Sequence, residues 1–134
     1  MCWTNYMAIP IVLKKPLRVY KVGTLATFYN FISLYYNFVY RKCQTMPTVE
    51  IDPEFERLHP SERISNQVWC YNRFNIYKGY HSYLTKEIAK LRSHKYDYDN
   101  IGIFEIPAGA IIYVNYRSRE VVSTDIKYLG LLEE

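Results

Sequence analysis

The residues with the widest chemical repertoire stand in a few short places. Gly79-Tyr80-His81-Ser82-Tyr83 sets an aromatic face, an imidazole and a hydroxyl beside a glycine that lets backbone pass close to a ligand. His81 and Ser82 can hydrogen-bond a ribose or a phosphate. The same segment reads equally as a strand end leading into a capped helix, with His81 satisfied inside the protein. Arg18, Arg117 and Arg119 carry guanidinium groups, whose forked donors match phosphate oxygens. Arg18, Tyr80, His81, Ser82, Arg117 and Arg119 are therefore candidate contacts for a small, phosphate-bearing ligand with a ring. The arginines would take its phosphates and Tyr80 would stack on its ring.

Turnover would need further groups. Glu120 opens a late strand and offers a carboxylate. Cys2 becomes the N-terminal residue once Met1 is removed, and its own amine could serve as base for the thiol, with His81 as another candidate base. The simpler reading of Cys2 is a small buried side chain beside Trp3. No Walker-type phosphate loop, Gly-x-Gly-x-x-Gly or His-Glu-x-x-His occurs, and Ser82, His81 and the scattered acids make no recognisable hydrolase triad. Binding without turnover is thus the leading expectation, an enzyme the second, and a protein-interaction module docking through its tyrosines the third. No cofactor is called for. Cys2, Cys43 and Cys70 are odd in number and widely spaced, without a Cys-x-x-Cys pair or a Cys/His cluster, so free thiols and no metal are expected.

These side chains must be positioned by a mostly antiparallel sheet with one clear helix and one or two further short helices packed on it, an α+β fold. Arg18–Val22 alternates after Pro16 and reads as a first strand. From Leu25 to Tyr40 the apolar positions fit a helix and a strand equally. Thr48–Ile51 reads as a short strand. Asp52-Pro53-Glu54 looks like a capped helix start, with Phe55 and Leu58 inward and Pro60 as the stop. Residues His59–Gln67 are polar and predict a loop, and strand character resumes over Val68–Tyr71 and Phe74–Tyr77. The spacing of Leu84, Ile88 and Leu91 behind Thr85 predicts a helix over Thr85–His94. Four strands follow, over Ile101–Ile106, Ala110–Tyr116, Glu120–Ser123 and Ile126–Leu129, separated by turns at Pro107-Ala108-Gly109 and near Arg117-Ser118.

The chain of 134 residues fits one domain, 49% apolar and 22% charged, which is enough to bury a core without cross-links. Its charge of +4, from 17 basic and 13 acidic residues, includes no long basic run. That argues against a nucleic-acid tract and is compatible with an anionic small molecule or an incidental surface balance. The most apolar stretch, Leu25–Tyr40, contains Asn30, Ser33 and Asn37 and is too short to cross a bilayer, so no membrane association is expected and a reducing bacterial cytosol is the expected compartment. Tyrosine is the unusual residue, at 15 copies. It suits half-buried strand positions and ring-stacking surfaces alike.

In order and rough spacing, several of these features resemble the core of the mono-ADP-ribosyltransferases. They are Arg18 on an early strand, Tyr80-His81-Ser82 feeding a helix, the Ile106-Pro107-Ala108-Gly109 turn and the Glu120-Val121-Val122 strand. The likeness covers Arg18 to Gly130. His81-Ser82-Tyr83 stands where that family has serine-threonine-serine, and Ser118 where it has the first of two paired acids. The resemblance therefore implies that Arg18, Tyr80, His81, Ser82, Arg117 and Arg119 line one pocket for a nucleotide-like ligand of the ADP-ribose type. It also implies Glu120 as the carboxylate of the enzyme alternative, and binding more than transferase chemistry. The Met1-Cys2-Trp3 opening, Val19-Tyr20-Lys21-Val22, Gly79–Tyr83, Ile106–Gly109 and Val122-Ser123 also resemble short proteins of phages and mobile elements of gut bacteria. That likeness brings no established activity; because small phage proteins often counter host defence, the expectation is an accessory protein, a homo-oligomer, that sequesters a nucleotide immune signal.

Overall fold

A computed structural model describes residues 3–5, 7–27, 30–33, 39–57, 72–96 and 100–132. Its centre is a nine-stranded sheet built around one long strand. That strand, β3 (Leu17–Thr27), follows two short ones, β1 (Trp3–Asn5) and β2 (Ile11–Val12). After it come β4 (Asn30–Ser33), β5 (Val39–Arg41), β6 (Glu54–Arg57), β7 (Asn72–Ile76) and β8 (Tyr80–Tyr83). The helix α1 (Lys86–Tyr96) precedes β9 (Asn100–Ile106), β10 (Ile111–Asn115), β11 (Glu120–Ser123) and β12 (Lys127–Leu131). The large sheet runs β12-β9-β3-β8-β11-β10-β2, and the β4–β5 hairpin continues from β3. All of its strand pairings are antiparallel, which is the expected fold class.

With 11 residues, β3 is long enough to serve two sets of partners. Its first part pairs β9 from Leu17↔Ile106 to Gly23↔Asn100. From Gly23 onward it pairs β4, with a register shift between Leu25 and Thr27. The 25–40 stretch, which fits helix and strand equally in sequence, is thus extended wherever it is described. β-branched and aromatic residues lose little by standing on a pleated surface, and the neighbouring strands decide the matter.

Two layers cover the large sheet. On one face Val19, Phe31, Tyr40, Tyr80, Phe104, Ile106, Ile112, Val121, Ile126 and Tyr128 form the main core. Its aromatic rings meet largely edge to face: Tyr40 and Phe104 lie 5.1 Å apart between centroids, Phe31 and Phe104 5.5 Å. The opposite face carries α1 through Val22, Tyr83 and Ala89, and a three-stranded sheet, β1-β7-β6, through Trp3, Ile76, Tyr113 and Val122. The Asn115 amide donates to the Thr4 carbonyl at 2.7 Å and ties the two sheets together.

Several sequence expectations are corrected. Glu54–Arg57 is a strand and not a helix: it pairs β7 with Phe55 opposite Phe74, and Arg73 and Asn75 both donate to the Glu56 carboxylate across the pair. Cross-strand contacts outweigh the Asp-Pro start signal here. Thr48–Ile51 is no strand, although its backbone is used, since the Val49 amide donates to the Thr124 carbonyl at 2.8 Å. The expected loop over His59–Gln67 and strand over Val68–Tyr71 lie outside the described residues. The helix forms as expected, and the Thr85 hydroxyl caps it by accepting from the Ile88 amide at 3.3 Å. Its buried side differs, however: Ala89 and Ser93 face inward, and Leu91 is 65% exposed.

Candidate functional site

Strand alternation decides which of the candidate residues can meet. Tyr20 of β3 lies opposite Tyr83 of β8, and Tyr83 opposite Glu120 of β11. Arg18, Tyr20, His81, Tyr83 and Glu120 therefore point to the face that carries α1, while Tyr80 and Ser82 point to the main core. Arg18 and Ser82 stand on opposite faces, so the single pocket expected from Arg18, Tyr80, His81, Ser82, Arg117 and Arg119 does not form. The physical reason is the period of two: neighbours in sequence along β8 cannot both address one ligand lying on one face.

Burial completes the correction. Ser82 is 0% and His81 9% exposed. The Tyr80 hydroxyl donates to the Pro47 carbonyl at 2.5 Å, and its ring packs against Tyr40. Tyr80 is therefore core and offers no stacking face. Arg18, Arg117 and Arg119 are exposed, with Arg18 opposite Glu105 on β9. Glu120 is half-buried, and desolvation raises its carboxyl above the ordinary range, partly countered by the charge of Arg92. Cys2 lies outside the described residues.

Two places emerge instead. One is the loop between β10 and β11. The Asn115 side-chain oxygen accepts from the Arg117 amide at 3.1 Å and the Ser118 amide at 3.3 Å, which folds the loop back on itself. Arg119 completes the turn in the left-handed region with φ 61°, and its carbonyl accepts from the Leu84 amide at 2.9 Å. This scaffold projects Tyr116, 70% exposed, beside the exposed Arg117 and Arg119. An aromatic face and two cations stand on one short, internally bonded turn.

The other place is buried. Lys21 occupies an inward position of β3, 7% exposed, and no carboxylate among the described residues reaches it. Its side-chain nitrogen donates to the His81 carbonyl and sits over the rings of Tyr40 at 5.2 Å and Phe104 at 5.8 Å. Burial lowers its pKa from the ordinary 10.5 to about 7. The His81 ring donates through Nε2 to the Tyr77 carbonyl at 3.0 Å, which leaves Nδ1 as a buried lone pair with no donor among the described residues. Desolvation, reinforced by the charge of Lys21, lowers the His81 pKa to about 4. The Ser82 hydroxyl also lacks a partner among the described residues.

Sequence reasoning missed both Lys21 and Tyr116. Lys21 belongs to a strand whose two faces carry Val19, Lys21, Gly23 and Arg18, Tyr20, Val22, and neither set is cleanly apolar. Tyr116 is one tyrosine among 15, and only the turn geometry separates it from the buried ones. No group of three or more potential metal ligands occurs among the described residues. No helix among them is long and apolar enough to cross a membrane. No protein-family model, curated protein or solved structure matches the chain.

Proposed function

We propose that this protein is a non-enzymatic binding protein that takes up a nucleotide-like anion at the β10–β11 turn. The observation that carries the reading is the juxtaposition of Tyr116, Arg117 and Arg119 on a turn held by Asn115. A tyrosine face stacks on a base, and two guanidinium groups suit a diphosphate or cyclic phosphate. Arg119 adopts a backbone conformation in which glycine or asparagine is less strained, and a costly conformation at an exposed cation is a motive for function. Sequestration of such a ligand against a host's immune signalling is the biological role that goes with this reading, since small phage proteins often counter host defence. The enzyme alternatives gain less support, since Glu120 has no second carboxylate beside it in sequence and His81 is buried neutral.

Titration calorimetry with NAD, cyclic ADP-ribose isomers and cyclic dinucleotides tests the proposal directly. Binding of one of these is expected, with Arg119→Ala and Tyr116→Ala each weakening it roughly tenfold, the scale of one charge-assisted hydrogen bond or one stacked base. Heat release of the bound ligand should return it unchanged. Altered ligand would instead favour an enzyme, and the absence of binding to all three classes would overturn the reading in favour of a protein-docking role.

A further inference from the structure

The seam between β3 and β8 is the weakest join in the large sheet. The two strands are paired at one residue pair, Tyr20↔Tyr83, whereas β3 pairs β9 over seven consecutive residues. Beside that pair the His81 carbonyl accepts from a side chain, the Lys21 nitrogen. Two basic residues are thus buried at one seam, Lys21 and His81, with no carboxylate within bonding reach of either among the described residues. A charge in such surroundings is costly, and the least costly relief is to let water in.

Among the described residues, the neighbours supply no compensating negative charge. From β8 the titratable groups are Tyr80, His81 and Tyr83, and from β5, which β4 carries, Tyr40. On β9, Glu105 stands opposite Arg18 and is thereby on the other face from Lys21. The charged residues of α1, Lys86, Glu87, Lys90 and Arg92 among them, belong to an element packed on that same other face, as does Glu120 of β11. Beyond the His81 carbonyl, Lys21 meets aromatic rings.

We propose that the β3–β8 seam is a proton-sensitive hinge: protonation of Lys21 favours a local opening of β8 that admits water to Lys21, His81 and Ser82. In the closed state Lys21 is neutral at mildly alkaline pH and its ammonium form is excluded from water. In the open state it regains the ordinary lysine affinity for protons. Opening therefore binds a proton, and its equilibrium must respond to pH. The buried Ser82 hydroxyl and His81 Nδ1, which have no partner among the described residues, are the groups that hydration of the seam satisfies. This hinge stands independently of ligand binding at Tyr116–Arg119.

Amide hydrogen exchange of Tyr80–Tyr83, corrected for intrinsic chemical exchange, measures the opening. The opening constant is expected to rise by up to about tenfold per pH unit as pH falls from 9 to 7, the response of one proton taken up. Lys21→Met, which keeps the length and removes the proton, should flatten that dependence. A wild-type opening constant that is flat over this range, or an unchanged slope in Lys21→Met, overturns the hinge. Should Lys21→Met fail to fold, the titration of the Lys21 side-chain nitrogen in the wild-type protein decides by NMR. A midpoint near 7 supports the hinge, and a midpoint in the ordinary lysine range overturns it.

Discussion

Two glycines show how single residues set the core. A Cβ on Gly23 would stand 2.1 Å from the Ile32 carbonyl oxygen and 2.8 Å from the Phe31 ring. One on Gly102 would meet the Phe104 ring at 2.7 Å and the Phe31 ring at 3.1 Å. The fully buried Phe31 thus lies in a hollow that these neighbouring-strand glycines open, and this is how the β4–β5 hairpin can fold over β3 and β9. The carbonyl at Gly23 is backbone and cannot step aside as a side chain would. Gly23→Ala should therefore destabilise by at least the cost of overpacking, about 1–3 kcal/mol. Phe31→Ala, which empties the hollow, should cost about 3–5 kcal/mol. Chemical denaturation of both variants checks these values, and a Gly23→Ala protein as stable as wild type would contradict the account.

At the scale of elements, α1 separates what a helix needs to form from what it needs to dock. The Thr85 cap and Glu87 in the first turn mark its start, and both signals are local. Docking is set elsewhere. Ala89 is fully buried against Val22 and Tyr83, and a small side chain there lets the helix approach the sheet. The longer Leu91 is turned to solvent because its place on the helix, about 200° around from Ala89, faces away. Ala89→Leu should therefore destabilise by about 1–3 kcal/mol, whereas Leu91→Gln should stay within about 0.5 kcal/mol of wild type. Thermal unfolding of the pair measures the difference; equal effects would mean that the helix docks through the other face.

The whole molecule should show an unusual dependence of stability on pH. Lys21 has its pKa lowered from 10.5 to about 7 on folding, so between those values the unfolded chain binds a proton that the folded one does not. Stability must rise with pH across that window, by up to about 1.4 kcal/mol per unit, and the full penalty is in place below about pH 7. His81, lowered from 6.5 to about 4, removes further stability as pH falls through that lower window. Above about 10 the sign reverses, because burial raises the pKa of Tyr40, Tyr80 and Tyr128, and the unfolded chain loses protons first. Denaturation midpoints measured from pH 5 to pH 11 should peak on the alkaline side, near pH 9–10 by this balance. A maximum at or below neutrality would show that Lys21 does not fold into the core as a neutral amine.

Read by itself, the sequence determined what depends on neighbours in the chain: α1 with its Thr85 cap, the run of antiparallel strands after Ile101, and the turns at Pro107–Gly109 and Arg117-Ser118. It left Leu25–Tyr40 open between helix and strand and misread Glu54–Arg57 as helical, because cross-strand partners such as Phe74 and Arg73 lie far along the chain. The candidate site was less legible still. Arg117 and Arg119 were visible as cations, but Tyr80, His81 and Ser82 looked like a ligand-facing cluster when the pleat divides them between two buried faces. Tyr116 and Lys21 carried no sequence signal that told an exposed ring from a buried one, or a solvated amine from a desolvated one. Residue type and spacing state which chemistry a side chain can perform. Whether it meets water, a ring or a ligand is decided by which strands pair and which layer covers each face, and those are properties of the tertiary structure alone.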